Sequence, residues 1–324
     1  PLYLATYFGH LAVCEAIVQK IDTVNPKSLY CAVDKEHTEI FKLLYTKSED
    51  PNPKCEDGLT PLHAAAIRGN FELFNIIFQS VKEKSGDVNP SMKEGVTPLH
   101  SAAYLGHLAI CEMIVQDLED VDPELQDGST PLHFAAERDH TDIFMLLCKK
   151  STDLNPKKTN GETPLFFVAA TGNLDIFDVI LQSMQEKPGD VNPANDWGTT
   201  PLHLAALEGH LTICKAIVQK LEDVDPEMKD GTTPLLWAAT SGHKDIFMLL
   251  LAKSNNVHPK KGDGYTLLHA AAEGGNLSIF DEVFKIAKES DVDLVTEDGS
   301  TPLFLAAEGG YEDIVKLLIA TSQQ

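Results

Sequence analysis

Apolar positions along the chain fall into pairs of short stripes at helical spacing, divided by polar, turn-forming stretches. In residues 97–118, Leu99, Ala102 and Ala103 mark one stripe. Gly106 interrupts it, and Leu108, Ile110, Cys111, Ile114 and Val115 mark a second. The stops and starts agree with this division. Thr97 is placed to cap a helix through its hydroxyl, and Pro98 takes the first helical position, where a missing N–H costs nothing. Gly106 stops the helix in a conformation that favours a residue without a Cβ. The stretch "DVDPELQDGS" that follows carries Asp-Pro and Asp-Gly, both turn-forming. Each unit therefore reads as helix, turn, helix and hairpin, with small alanines that let the next helix approach closely.

The pattern repeats. Thr-Pro-Leu-His or a close relative starts at Thr60, Thr97, Thr130, Thr163, Thr200, Thr233, Thr266 and Thr301, at intervals of 37, 33, 33, 37, 33, 33 and 35 residues. Two further units precede these, one at Pro1 and a degenerate one at "KSLYCAV" (27–33), which makes ten. Second helices come in three types, recurring in a block of 103 residues made of two 33-residue units and one of 37, so that "GVTPLHSAAYLGH" (95–107) returns as "GTTPLHLAALEGH" (198–210). Duplication of a structural block accounts for this; selection for one active site does not. A single array over residues 1–324 is expected, with units starting near 1, 27, 60, 97, 130, 163, 200, 233, 266 and 301. Between the first two units "VNPKSLY" stands where "VDPEMKDGTTPLL" would be expected, six residues shorter, which predicts a missing hairpin. The chain opens inside a unit and closes on one without a polar outer face, so the array is expected to continue beyond both ends.

A 33-residue period carrying Thr-Pro-Leu-His resembles the ankyrin repeat, and the resemblance runs through the whole chain. It implies an all-α repeat solenoid, curved, with a concave face built from hairpin tips and the exposed ends of the first helices. It also implies that His63, His100, His133, His203 and His269 are structural hydrogen-bonders. On the implied face the partner-binding candidates are Leu59, Ile67, Arg68, Val96, Tyr104, Leu105, Glu137, Arg138, Trp197, Leu207 and Tyr265. Leu59, Ile67, Val96, Tyr104 and Leu105 belong to consecutive units and are expected to form one patch beside Arg68. Trp197 with Leu207 is a second, and Trp237 is expected in the core. Some members of the family are hydroxylated on hairpin asparagines, to which Asn89 and Asn192 correspond.

Charge narrows the partners. With 26 basic and 49 acidic side chains the net charge is −23, the wrong sign for nucleic acid or anionic membranes and the right one for a protein with a basic segment. No apolar run approaches the roughly 18 residues of a membrane span.

Candidate chemistry is sparse. The repeated histidines lie one per unit, too far apart to share a metal ion. His-x-acid triplets at 37–39, 140–142 and 243–245 open second helices, where an acidic first turn suits the helix dipole. Of six cysteines, Cys14, Cys111 and Cys214 share one core slot three units apart, beyond disulfide reach. Cys31 and Cys148 fall on apolar faces, and only Cys55 is expected to be exposed. Unpaired buried thiols point to a reducing, intracellular compartment. The Thr-Pro pairs are expected to be buried caps, and the Asn276 sequon opens a helix. No catalytic, cofactor or metal motif is present. The expectation is a monomeric, non-catalytic module that binds a protein on its concave face. The alternatives are an elastic tether or a targeting module of a larger protein.

Overall fold

Each Thr-Pro pair starts a helix because two local devices act together. Pro61 and Pro98 sit at the first helical position, and Thr60 and Thr97 accept the N–H of the residue three further on. In return the histidine at that third position accepts the backbone N–H of its own threonine on Nδ1, at 3.3 Å for His63 and 3.2 Å for His100. The reciprocal pair satisfies donors that a helix start otherwise leaves open. These threonines are buried, as expected.

The computed structural model describes residues 1–186, 189–287 and 294–321. The chain divides into two compact units, Pro1–Pro156 and Lys157–Gln324. In the first unit the helices are α1 (Leu2–Tyr7), α2 (Leu11–Val18), α3 (Pro26–Asp34), α4 (Thr38–Tyr45), α5 (Pro61–Arg68), α6 (Phe71–Glu83), α7 (Pro98–Leu105), α8 (Leu108–Asp117), α9 (Pro131–Glu137) and α10 (Thr141–Leu147). In the second they are α11 (Pro164–Thr171), α12 (Leu174–Glu186), α13 (Pro201–Glu208), α14 (Leu211–Val218), α15 (Pro234–Thr240), α16 (Lys244–Leu251), α17 (Leu267–Gly274), α18 (Leu277–Ile286), α19 (Pro302–Glu308) and α20 (Glu312–Thr321). Among the described residues the only strand-like pairing is one isolated bridge, Lys260 to Thr266. Within each unit first helices pack on first helices, as α5 on α7 and α13 on α15, and each packs on its own second helix. The molecule is an all-α repeat solenoid.

One slot organises the core. Four residues into nine of the ten second helices stands either a phenylalanine (Phe41, Phe74, Phe144, Phe177, Phe247, Phe280) or a cysteine (Cys14, Cys111, Cys214), all essentially inaccessible, while α20 has the half-buried Val315 there. Leu62, Leu99, Leu132, Leu165 and Leu202 with their following alanines are equally buried. Burial of each large apolar side chain is worth about 1.5–3 kcal/mol relative to exposure. Neighbouring repeats share it, so none holds its fold alone.

The joint between repeats has a second fixed device. His107 Nε2 donates to the Ile67 carbonyl at 3.3 Å, and His140 likewise to Tyr104 at 3.2 Å. The His107 ring lies on Gly69, where a Cβ would come within 2.4 Å of it. Gly69 also carries φ +68°, so the residue ends α5 and clears space for the next repeat's ring. His210 on Ala170 and His243 on Leu207 repeat the arrangement in the second unit. The His-x-acid triplets are thus explained largely by the histidine itself.

The six-residue loss has the expected result. α2 ends at Val18 and α3 begins at Pro26, where Asn25 replaces threonine as cap and accepts the Lys27 N–H at 2.8 Å. No Asp-Gly hairpin stands between them.

Candidate interaction surface

The hairpins project as fingers closed by main-chain bonds, such as Cys55 N–H to Leu59 O at 2.8 Å and Met92 N–H to Val96 O at 2.9 Å. Successive fingers are tied through main chain. The N–H of Lys93 donates to Asp57 O (3.1 Å), Asp196 to Asn160 O (2.8 Å), Lys229 to Trp197 O (2.9 Å), Gly262 to Asp230 O (2.9 Å) and Glu297 to Asp263 O (2.8 Å). In each case the acceptor immediately precedes a glycine of positive φ. A Cβ on Gly198 would lie 2.8 Å from the Glu227 carbonyl, so backbone packs on backbone at the tips.

In the first unit the sequence candidates separate into two kinds. Leu59 and Val96 are half-buried at the finger bases, and the Val96 carbonyl receives His63 Nε2–H at 3.2 Å. Ile67 and Leu105 are exposed at the ends of α5 and α7. Tyr104 is half-buried: its ring meets Phe134 edge-on at 5.5 Å and is covered by the Arg138 guanidinium at 4.0 Å. Arg138 Nε also lies 3.8 Å from the Glu137 carboxylate. Arg68 turns away to Asp34 of the preceding repeat, with Nη2 at 2.8 Å and Nε at 3.2 Å. Burial opposes ionisation of Asp34, but the bonds from Arg68 and Lys35 hold its carboxyl below the usual range. Arg68 and Arg138 are the only arginines in the chain, and both occupy the same slot two repeats apart.

In the second unit Trp197 is 54% exposed at a finger tip, while Leu207 is half-buried. Tyr265 is not a free tip residue. Its hydroxyl donates to the Glu273 carboxylate, and burial together with that acidic neighbour pushes the phenol up. Trp237 departs from expectation: in the middle of α15 it is half-buried, edge-on to His203 of the preceding first helix at 5.5 Å. Cys55 is half-buried rather than exposed, and Cys148 is half-buried just past the end of α10. Several tip carboxylates are already paired, Glu56 with Lys27 (3.0 Å), Asp57 with Lys93 (2.7 Å) and Asp230 with Lys261 (3.4 Å).

The groups with chemical potential are engaged in structure. Burial lowers His63, His100 and His203 to about 4, so each ring is neutral, accepts on Nδ1 and donates from Nε2 to a main-chain carbonyl. Burial raises the Cys111 and Cys214 thiols to about 12, far from a reactive thiolate. Asn89 and Asn192 spend Oδ1 on the N–H of Leu99 (2.9 Å) and Leu202 (2.8 Å), a third cap on the first helices. Asn276 caps α18 through its side chain. Among the described residues no cluster of His, Cys, Asp and Glu could hold a metal ion, and no helix is long and apolar enough to cross a membrane. Sequence reasoning missed His107, His140, His210 and His243 as inter-repeat ties. Their signal was the histidine at the N-cap of the second helix, preceded by glycine in three of the four and by Asp139 at His140.

No curated protein matches the chain. The family model described as ankyrin repeats (3 copies) matches residues 29–127, 115–192, 180–261 and 249–324. Proteins built from these repeats are generally protein–protein interaction modules and typically non-catalytic. With its Thr-Pro caps, paired helices and finger hairpins, the chain belongs to the ankyrin-repeat family.

Proposed function

We propose that this chain is a non-catalytic docking module whose principal surface is the first-helix ends of residues 60–138, with Tyr104 and Leu105 at its centre. The observation that carries this reading is the stack of Phe134, Tyr104 and Arg138 beside the exposed Leu105. Aromatic and arginine side chains in a half-desolvated cluster are the usual composition of binding hot spots. A net charge of −23 favours a partner that surrounds its apolar anchor with basic residues, steered in by long-range attraction. Trp197 offers a second anchor in the other unit.

The test is affinity capture with the full chain beside a double variant, Tyr104→Glu and Leu105→Glu, followed by titration of each purified partner. Partners of the proposed surface weaken by about tenfold or more, while far-UV circular dichroism stays unchanged. Partners captured equally by both proteins would refute the surface. A chain that binds nothing and only extends reversibly under force would favour a tether.

A further inference from the structure

Among the described residues the finger row has a vacancy between the first two repeats. Beneath the fingers that follow α5, α7 and α13, the slot that holds histidine in the first helix is covered, whereas Tyr30 in the same slot of α3 is half-buried. His63 and His203 are fully buried beneath Val96 O and Thr232 O, and His100 bonds Pro123 O at 2.9 Å. Tyr3 occupies this slot in α1 and is 46% exposed, with Tyr7 and Phe8 also open to solvent. The three rings form a continuous shelf, with centroids 6.3 Å apart for Tyr3 and Tyr7 and 5.1 Å for Tyr7 and Phe8. Lys35 Nζ lies 5.0 Å over Tyr7. On the far side stands the finger 55–59. The main-chain donor that ties a finger to its predecessor lies four residues before the helix-capping threonine, as in Lys93, Asp196 and Lys229. For this finger it is Glu56, an exposed residue whose N–H has no main-chain partner among the described residues.

We propose that this vacancy is a docking site for a tight glycine turn supplied by a partner protein. The five finger-to-finger joints define what fits. The turn brings a carbonyl to the Glu56 N–H, and the residue after that carbonyl is a glycine of positive φ, because it packs on the main chain of Lys54 and Cys55 as Gly198 packs on Glu227. Apolar atoms beside the turn cover the Tyr3 and Tyr7 rings. Recognition is mainly through backbone, as when a segment adds to an open sheet edge. The inference rests on the reading of the chain as an interaction module but uses a surface separate from Tyr104 and Leu105, so either can fail alone.

The experiment titrates the full chain with a cyclic peptide carrying residues 227–232 of its own sequence, Glu-Met-Lys-Asp-Gly-Thr, which are the residues missing at the gap. Amide and ring signals are followed by nuclear magnetic resonance. Saturable shifts at the Glu56 amide and the Tyr3 and Tyr7 rings are expected, with amide exchange at Glu56 slowed. A peptide with valine in place of glycine should bind about tenfold more weakly, and Tyr3→Ala, at an exposed position that leaves the fold intact, should weaken binding about fivefold. A variant with residues 227–232 copied between Pro26 and Lys27 fills the gap and should lose binding. No saturable change at Glu56, equal affinity for the valine peptide, or unchanged affinity in Tyr3→Ala would each overturn the proposal.

Discussion

Thr97 and His100 show how much one repeat depends on two side chains. The hydroxyl caps α7, and the imidazole accepts the Thr97 N–H, then spends its remaining proton on the Pro123 carbonyl. Thr97→Val removes the first acceptor at nearly constant volume and is expected to cost about 1–2 kcal/mol in a urea titration, whereas Thr97→Ser should retain most of the stability. Wild-type stability in the valine variant would show the box to be incidental. Thr97 was legible in the sequence because helix starts have strict local chemistry, and His100 through the resemblance of the repeat to a known family. His107 was not, since its role exists only once the next repeat is stacked on Gly69. Tyr104 was legible as a surface candidate, but its cover by Arg138 was not, because that contact spans two repeats.

At the scale of elements, the fingers are joined by main chain, which leaves no signature in residue type. The missing finger before α3 was readable as a deletion, while the ties among the others were invisible until the backbone was placed. Their contribution can be isolated with two glycines of nearly equal φ, Gly198 at +81° and Gly299 at +88°. Nothing lies within 4 Å of a Cβ at Gly299, whereas one at Gly198 meets a carbonyl at 2.8 Å. Gly299→Ala should cost only the left-handed conformation, about 1–2 kcal/mol. Gly198→Ala should cost about 1–2 kcal/mol more as the neighbouring finger is displaced. Equal losses in denaturant would mean the finger joint adds nothing. Trp237 belongs here too: its slot reads as inward-facing, yet it stands half-covered beside His203 of the preceding first helix.

For the molecule as a whole, acidity brings two effects into opposition. His63, His100 and His203 fall from an ordinary 6.5 to about 4 on folding, so between these values the unfolded chain binds more protons than the folded one. Their stabilisation is complete above pH 6.5 and declines as pH falls toward 4, each by up to about 1.4 kcal/mol per pH unit. Against this, acid neutralises the −23 charge and relieves self-repulsion, an effect that salt screens. At high ionic strength the histidines should dominate, and guanidinium midpoints should fall from pH 7 to pH 4.5. His100→Leu, copying Leu236 of another repeat, should flatten that slope by one proton. A slope unchanged by the substitution would remove the histidines as its cause. Where a partner binds was the least legible property. Caps and cores obey rules that recur in every repeat, while exposed residues such as Leu105 and Trp197 obey none.

The main-chain ties between fingers bear on how such a protein can change over generations. Aspartate, asparagine and tryptophan all serve as the accepting residue, at Asp57, Asn160, Trp197, Asp230 and Asp263, with bond lengths that hardly differ. Because the linkage ignores what the tip displays, mutation can rewrite the outward letters freely, and a duplicated block can acquire new specificity without first being weakened.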